Sequence, residues 1–311
     1  MKWSVSGAKT FRRCQRQWFY KNCVANGVTK DAVRRNVYLL SKLQSIAGWR
    51  GTLIDDVITN TVIPALQSKR SLSLEPVLTL ARRMFDRQLA TALKHPLRQP
   101  DRSVKSWGDD YAAFHCVEYG DGPTQKELDD AWNDIDVALT NLLSMRSLLD
   151  KLRAAKQLLS QRSLQFSTCG VTVSAVPDLI AFYSDEPPAI LDWKAHAFGT
   201  MDAWLQLAIY SIALKACNPH KDFPASLAQW PVSSIRLVEV QLLLKRLRRH
   251  EIDEDDRESA EAFIAESAMS MLMAMDGKKA ADIAADDFAT TSFEGACERC
   301  SFRKSCWETM Q

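Results

Sequence analysis

The fold of this chain is decided by the stretch Ala175-Val-Pro-Asp-Leu-Ile-Ala-Phe-Tyr-Ser-Asp-Glu-Pro-Pro-Ala-Ile-Leu-Asp-Trp-Lys-Ala195. Two apolar runs flank a polar turn that contains Pro187 and Pro188, and this pattern predicts a β-hairpin. Each strand carries one carboxylate among apolar neighbours, Asp178 on the first and Asp192 on the second. Pairing of the two strands would bring both carboxylates within the span of one or two divalent cations.

Three further polar side chains lie close to the hairpin in the sequence. Lys194 follows Asp192 by two residues, so the alternation of a strand puts both side chains on one face. Gln206 and Tyr210 lie four residues apart in a predicted helix over 200–217 and therefore share one helix face. A buried hairpin with stray polar residues is the alternative, but unpaired carboxylates on core strands cost several kcal/mol unless something binds them.

This set of residue types suits phosphodiester hydrolysis. Hard cations such as Mg²⁺ take oxygen ligands and keep water in their shell. Such an ion binds a phosphate oxygen and lowers the pKa of a water that can attack phosphorus. A lysine beside it can orient that water or offset the growing negative charge. A hydrolase triad has little support, because His95 and His115 lack a recognisable nucleophile arrangement.

The same residues resemble a known nuclease signature. Pro177-Asp178 followed by Asp192-Trp193-Lys194 looks like the PD-(D/E)XK motif, and Gln206-x-x-x-Tyr210 is similar to the extra motif of its RecB-like branch. The resemblance implies an α/β fold with a restriction-endonuclease-like core, in which helices flank a small mixed β-sheet. It also implies that Gln206 and Tyr210 position the DNA strand or the hairpin.

The resemblance assigns roles to the hairpin residues as well. Asp178 and Asp192 would hold Mg²⁺ or Mn²⁺, with the carbonyl of Trp193 as a further ligand. Lys194 would assist the attacking water.

One helix departs from the RecB-like pattern. The run Gly48-Trp-Arg-Gly-Thr-Leu-Ile-Asp55-Asp56 falls where those exonucleases carry Gly-x-x-x-His, whose histidine contributes to the metal site. Asp55 stands in the place of that histidine. A carboxylate can also ligate Mg²⁺ or Mn²⁺, which makes Asp55 a candidate metal ligand. A surface aspartate, altered cleavage polarity, endonuclease activity and an inactive site stay open as alternatives.

Three of the eight cysteines form a C-terminal cluster, Cys297-x-x-Cys300-x5-Cys306. Disulfides are disfavoured in a reducing compartment. A cluster of three thiols indicates a site that needs a fourth thiolate. Cys14 lies on a basic and aromatic segment, residues 4–20, which is predicted to form a helix with Ser4 or Ser6 as its N-cap.

This arrangement resembles RecB-like nucleases with an iron–sulfur cluster, among them the CRISPR-adaptation exonucleases and the AddB nuclease subunit. The resemblance implies that a 4Fe–4S cluster is bound by Cys14, Cys297, Cys300 and Cys306. The segment 290–311 would then be joined to Cys14, and the site would act as a staple. A zinc site and unliganded cysteines are the alternatives. Zinc ribbons usually show two Cys-x-x-Cys knuckles, and this chain has one.

Residues 60–163 carry no nuclease motif and are predicted to form a helical insertion. Apolar residues recur at helical spacing over 74–93 and 128–164. Between them, residues 94–123 are rich in Pro, Gly and Asp and predict loops. A clamp over single-stranded nucleic acid, a partner-docking surface and a plain helical cap are the functions considered for this insertion.

The chain after the predicted helix 200–217 adds one more strand. Residues 234–244 predict that strand, and the basic run Lys245–His250 leaves it. This run is a candidate contact for backbone phosphates, with a solvated loop as the alternative. An amphipathic helix over 251–275 and a linker over 280–293 lead to the cysteine cluster.

Composition sets few limits of its own. The 311 residues are 46% hydrophobic and 25% charged, with a formal net charge of +2, so charge alone does not identify a nucleic-acid binder. The first residues lack the apolar region of a signal peptide, and no stretch is apolar for long enough to span a bilayer. We therefore expect a cytoplasmic protein that is not associated with a membrane.

These observations predict a single nuclease domain over residues 1–311. Its expected activity is metal-dependent hydrolysis of DNA, on single strands or DNA ends, and an exonuclease is favoured over an endonuclease. A helicase or a CRISPR-adaptation protein is the expected partner. A nuclease-fold scaffold that binds DNA or a partner without turnover is the second hypothesis, and a zinc-stapled domain is the third.

Overall fold

The computed structural model describes residues 1–98, 104–195, 201–278 and 282–308. Two compact units make up the chain, and each is considered by itself. The sheet unit comprises Met1–Lys2, Ile46–Asp86 and Thr124–Phe263. The cysteine unit comprises Trp3–Ser45, Arg87–Pro123 and Ile264–Gln311.

The strands of the described residues follow one another in this order: β1 (Lys2–Trp3), β2 (Gln157–Ser160), β3 (Leu164–Thr168), β4 (Val171–Ala175), β5 (Leu179–Phe182), β6 (Ala189–Lys194), β7 (Arg236–Gln241) and β8 (Arg246–His250). They form two sheets, one with the order β1-β4-β3 and one with the order β2-β5-β6-β7-β8. The predicted α/β class and mixed sheet are therefore confirmed.

The α-helices of the described residues are α1 (Val5–Arg13), α2 (Gln15–Phe19), α3 (Ala32–Leu40), α4 (Ile46–Val57), α5 (Ile63–Gln67), α6 (Leu74–Leu93), α7 (His115–Tyr119), α8 (Gln125–Ser144), α9 (Arg146–Arg153), α10 (Met201–Ala216), α11 (Glu254–Met275) and α12 (Arg303–Glu308). In those parts of the chain, no helix combines the length and apolarity needed to cross a membrane.

The five-stranded sheet is built around the predicted hairpin. Strands β5 and β6 pair antiparallel, with Leu179 opposite Leu191. Strand β7 pairs parallel to β6, so the chain must cross over between them, and α10 lies in that crossover. Strand β8 returns antiparallel to β7 and forms the edge of the sheet. The hairpin is confirmed, and its turn contains the two prolines, whose missing N–H groups suit a turn.

The second sheet was not predicted. Strands β3 and β4 pair antiparallel across a tight turn in which Cys169 and Gly170 both have positive φ. Strand β4 alternates buried and half-buried residues, as expected for a strand with one face in the core. The N–H of Thr172 donates to the carbonyl of Met1 at 3.0 Å, which adds β1 to this sheet.

The predicted helix over 128–164 is wrong at its C-terminal end, although helices α5 to α9 all lie within the predicted helical insertion 60–163. The helices end at Arg153, and residues 157–160 form β2, which pairs with β5. Short apolar runs are ambiguous between the two periodicities, and here the free edge of β5 decided the outcome. The predicted loop region 94–123 also contains α7. Residues 99–103 of that region lie outside the described residues.

In the cysteine unit, the predicted helix over 4–20 is interrupted. Ser4 is the N-cap, because its hydroxyl accepts from the N–H of Gly7 at 3.1 Å. Cys14 has an extended backbone, with φ of −159°, and separates α1 from α2. Its thiol accepts from the N–H of Gln17 at 3.4 Å and thereby caps the second helix.

Candidate active site

The two hairpin aspartates meet at one end of the sheet. Asp178 directly precedes β5, and the register that pairs Leu179 with Leu191 puts Asp192 opposite it. The carboxylate of Asp178 accepts from the N–H of Trp193 at 2.8 Å. Asp192 is only 2% exposed. The geometry therefore brings a buried carboxylate on β6 beside a second one that is tied to the same strand.

The predicted lysine and the two helix residues gather around Asp192. Lys194 forms an ion pair with the Oδ2 atom of Asp192. The side chain of Gln206 on α10 donates to the Oδ1 atom of Asp192 at 3.3 Å and accepts from Lys194 at 3.5 Å. The same amide donates to the hydroxyl of Tyr210 at 2.5 Å. The four side chains thus form one hydrogen-bonded chain between β6 and α10.

Asp55 joins the carboxylates from α4. The apolar positions Leu53, Ile54 and Val57 are buried, and they orient the helix so that Asp55 lines the site. Gln161, just after β2, donates to Asp55 at 2.9 Å and to Asp178 at 3.3 Å. Gln161, which belongs to none of the predicted motifs, therefore bridges the carboxylates of Asp55 and Asp178.

Crowding of these carboxylates changes their acidity. Burial chiefly raises the pKa of Asp178 to about 7, and the charges of Asp192 and Asp55 add to the effect. Burial, followed by the charge of Asp56, raises the pKa of Asp55 to about 6, although the hydrogen bond from Gln161 acts in the opposite direction. Both shifts favour the neutral form of Asp178 and Asp55, and a bound cation would act in the opposite direction.

The carboxylates line a cavity of about 390 Å³. Lys194, Gln206 and Arg50 line it as well. Arg50 on α4 is fixed by an ion pair with Asp134 and by a 2.8 Å hydrogen bond to the carbonyl of Ala195. The cavity thus contains acidic groups on its sheet side and two fixed cationic groups beside them.

The donor set fits a hard divalent cation. Asp55, Asp178 and Asp192 supply carboxylate oxygens, which Mg²⁺ and Mn²⁺ prefer. The Oδ1 atom of Asp55 is buried and makes no hydrogen bond to any described residue, which leaves one oxygen for a ligand. Among the described residues, no group of three or more His, Cys, Asp or Glu side chains is arranged so that it could hold a metal ion.

The four predicted cysteine ligands come together in the cysteine unit. A second, smaller cavity is lined by Cys14, Cys297, Cys300 and Cys306. Aromatic packing holds the two ends of the chain around it, since Tyr20 stacks on Phe302 with ring centroids 5.6 Å apart. The last residues of the predicted cysteine segment, 309–311, lie outside the described residues.

Burial favours the protonated form of two thiols in this cavity, Cys300 and Cys306. Burial raises the pKa of Cys300 to about 11, and the other three cysteines add to this rise. Burial also raises the pKa of Cys306, although Arg16, which lies 3.9 Å from its sulfur, acts against the change. A metal ion bound to these thiols would displace their protons. None of the eight cysteines, all of which lie in the described parts of the chain, forms a disulfide.

Comparison with known proteins gives the family. The chain belongs to the PD-(D/E)XK nuclease superfamily, whose sequence model matches residues 2–307. Membership indicates a metal-dependent nuclease, and such nucleases generally use Mg²⁺ or Mn²⁺ and act on DNA. No curated protein matches the chain at a significant level. A solved structure titled "Crystal structure of SSO0001" matches 73% of this chain and 96% of that chain at 13% identity. The TM-score of this match is 0.30.

Two residues of the candidate site, Gln161 and Arg50, were not predicted from the sequence. Gln161 lies in a turn with a positive φ of 50°, and no motif contains it. Arg50 lies within the quoted Gly48–Asp56 run, but it precedes Asp55 by five residues, which is not a spacing that puts two side chains on one helix face. Both depend on tertiary neighbours for their position in the site.

Proposed function

We propose that this protein is a Mg²⁺- or Mn²⁺-dependent deoxyribonuclease of the RecB-like branch. One observation carries the proposal: the ion pair between Lys194 and Asp192 lies in the same cavity as Asp178 and Asp55. Clustered buried carboxylates beside a lysine are costly as plain structure, because each charge loses its hydration. Such a cluster is useful where a divalent cation and a phosphodiester have to be held together.

Each residue has a definite role in this proposal. Asp178 and Asp192 would hold the metal, and Asp55 would be a third ligand in place of a histidine. The bound metal would supply a water of lowered pKa. Lys194 holds a positive charge where negative charge grows on the phosphate.

The remaining contacts keep these groups in place. Gln206 fixes both Lys194 and Asp192, and Tyr210 fixes Gln206. The backbone N–H of Trp193 holds Asp178, and its carbonyl is a candidate further metal ligand.

The proposed substrate is linear DNA, single-stranded or at its ends, with exonuclease action. This part rests on the resemblance to RecB-like exonucleases. The open cavity is compatible with a flexible strand, because it is lined by α4 on one side and the hairpin on the other. A helicase or a CRISPR-adaptation protein is the proposed partner on the same grounds.

The test is a cleavage assay on the wild-type protein. Labelled linear single-stranded DNA, linear duplex, circular single-stranded DNA and RNA are incubated with Mn²⁺ or with EDTA. We expect cleavage of linear DNA with Mn²⁺, little cleavage of circles, and none in EDTA. Cleavage of circular DNA at the same rate as linear DNA would show that the protein is an endonuclease and not an exonuclease. Binding of DNA without any metal-dependent cleavage would establish the scaffold alternative.

We further propose a 4Fe–4S cluster on Cys14, Cys297, Cys300 and Cys306. The convergence of these four thiols on one cavity supports it, since four thiolates are what such a cluster takes. The break of the helix at Cys14 supports it too, because a continuous helix would not give this residue an extended backbone. The cluster would act as a structural staple, and the proposal assigns it no redox role.

We expect anaerobically purified protein to be brown, with visible absorbance that Cys14→Ala largely removes. Cys217→Ala is the matched control, because Cys217 is buried and lines neither cavity. Metal analysis separates the alternatives: zinc without iron in a colourless protein would contradict the cluster. Full visible absorbance in Cys14→Ala would exclude Cys14 from the ligands.

A further inference from the structure

The register of the five-stranded sheet connects the candidate active site to its basic edge strand. Residues opposite each other on neighbouring strands share one face of a sheet. Lys194 on β6 pairs with Gln241 on β7, and Gln241 pairs with Arg246 on β8. Arg246 therefore lies on the same face as Lys194, two strands away. With strands about 4.8 Å apart, their Cα atoms are separated by about 10 Å.

A parallel row lies one step further along the strands. Asp192 pairs with Glu239, and Glu239 pairs with Arg248. Glu239 is 2% exposed and is contacted by Arg248 at 4.0 Å and by His250 at 3.1 Å. This buried carboxylate therefore compensates the positive charge of its edge-strand neighbours.

Two other basic residues at this end of the sheet, Lys245 and Arg246, have no such compensation. Lys245 and Arg246 are exposed, and neither makes an ion pair with any residue in the described parts of the chain. The turn that carries them starts at Leu242, which lines the catalytic cavity. Two cations without an ion pair to the described residues thus lie next to a turn that reaches the cavity.

The turn between β7 and β8 is firmly anchored. The N–H of Leu242 donates to the carbonyl of Lys194 at 2.9 Å. The side-chain amide of Asn141 on α8 donates to the carbonyls of Leu242 and Leu243 at 2.9 and 3.3 Å. Lys245 and Arg246 are therefore held at a fixed distance from the carboxylates, as a binding site requires.

We propose that Lys245 and Arg246 bind the phosphodiester backbone of the nucleic acid strand whose scissile phosphate lies in the catalytic cavity. This inference rests on the proposed nuclease function and adds the element that guides the substrate. The separation of about 10 Å between the Cα atoms places this contact outside the cavity but close to it. The contacted phosphates would thus be near neighbours of the cleaved bond on the same strand.

The strand itself provides a matched control. Arg249 is exposed and lies on β8 like Arg246, but it pairs with Val238, which pairs with Leu191. Arg249 therefore belongs to the other face of the sheet, where it lines a different groove with Lys151. Arg246→Gln and Arg249→Gln remove the same charge from the same strand on opposite faces.

The experiment measures binding of labelled single-stranded DNA in EDTA, so that cleavage does not interfere. We expect Arg246→Gln to weaken binding about fivefold and to make the dependence of log K on log salt shallower by about 0.7. Adding Lys245→Gln should double the change in slope. Arg249→Gln should bind like the wild type. Binding of an RNA oligonucleotide of the same sequence is also measured. It shows whether Arg246→Gln loses more affinity for DNA or for RNA.

Two results would overturn this proposal. One is equal binding by Arg246→Gln, Arg249→Gln and the wild type, or no binding by any of them. The other is an equal loss in both variants, which would indicate a general effect of charge. Cleavage of an activated phosphodiester too small to reach the turn is measured in parallel with Mn²⁺. If that activity is present in the wild type and in both variants, a failure of the binding prediction leaves the proposed nuclease function intact.

Discussion

Lys194→Ala is expected to lower the rate of Mn²⁺-dependent DNA cleavage about a thousandfold. The ammonium group of Lys194 pairs with Asp192 and contacts Gln206, so it is held beside the position where negative charge would grow on the phosphate. Its removal takes away a fixed positive charge that water cannot replace with the same geometry. The measurement is single-turnover cleavage of labelled linear DNA, in which substrate binding and the chemical step are separated.

Lys69→Ala is the matched control, because Lys69 is exposed in the same unit and lines neither cavity of the sheet unit. Loss of a partner for the buried Asp192 also lowers stability. DNA binding in EDTA is therefore measured for each variant, to show that the protein is folded. A Lys194→Ala protein that binds DNA and cleaves it at the wild-type rate would remove Lys194 from the catalytic residues.

Asp178→Asn is expected to stabilise the metal-free protein while abolishing its stabilisation by metal. Folding raises the pKa of Asp178 from 3.8 to about 7, through burial and the neighbouring carboxylates. Between these pKa values the folded state binds more protons than the unfolded state, so metal-free stability falls as pH rises from about 4 to 7. Asparagine does not ionise, and the variant should exceed the wild type at pH above 7 by about 2–4 kcal/mol.

Metal should reduce this difference in stability between the wild type and Asp178→Asn. A ligand of the folded state at a hundredfold excess over its Kd stabilises by about 2.7 kcal/mol. The wild type should gain this from Mn²⁺, and Asp178→Asn should gain little. Asp185→Asn is the control, since Asp185 is exposed in the turn of the same hairpin. Chemical denaturation is measured over a range of pH in EDTA and in Mn²⁺. It tests both the stability of the metal-free proteins and their stabilisation by metal. A metal-free Asp178→Asn protein less stable than the wild type at high pH would contradict the electrostatic account.

The hairpin and its polar residues could be predicted from sequence because they depend on local spacing. Alternation along a strand placed Lys194 with Asp192, and the helical repeat placed Gln206 with Tyr210. The structure has all four in one hydrogen-bonded chain. The same local rules failed at residues 157–160, where a short apolar run joined the edge of a sheet instead of extending a helix.

Residue types and their spacing specify the chemistry available to this protein: the paired aspartates, the lysine two residues after Asp192 and four cysteine thiols. Which of these groups meet depends on the tertiary structure, in which Gln161 bridges two carboxylates and Arg246 lies on the same sheet face as Lys194. The physical reason is that residue identity and periodicity act within a few residues. Strand register and helix packing are set by contacts between segments that lie far apart in the chain.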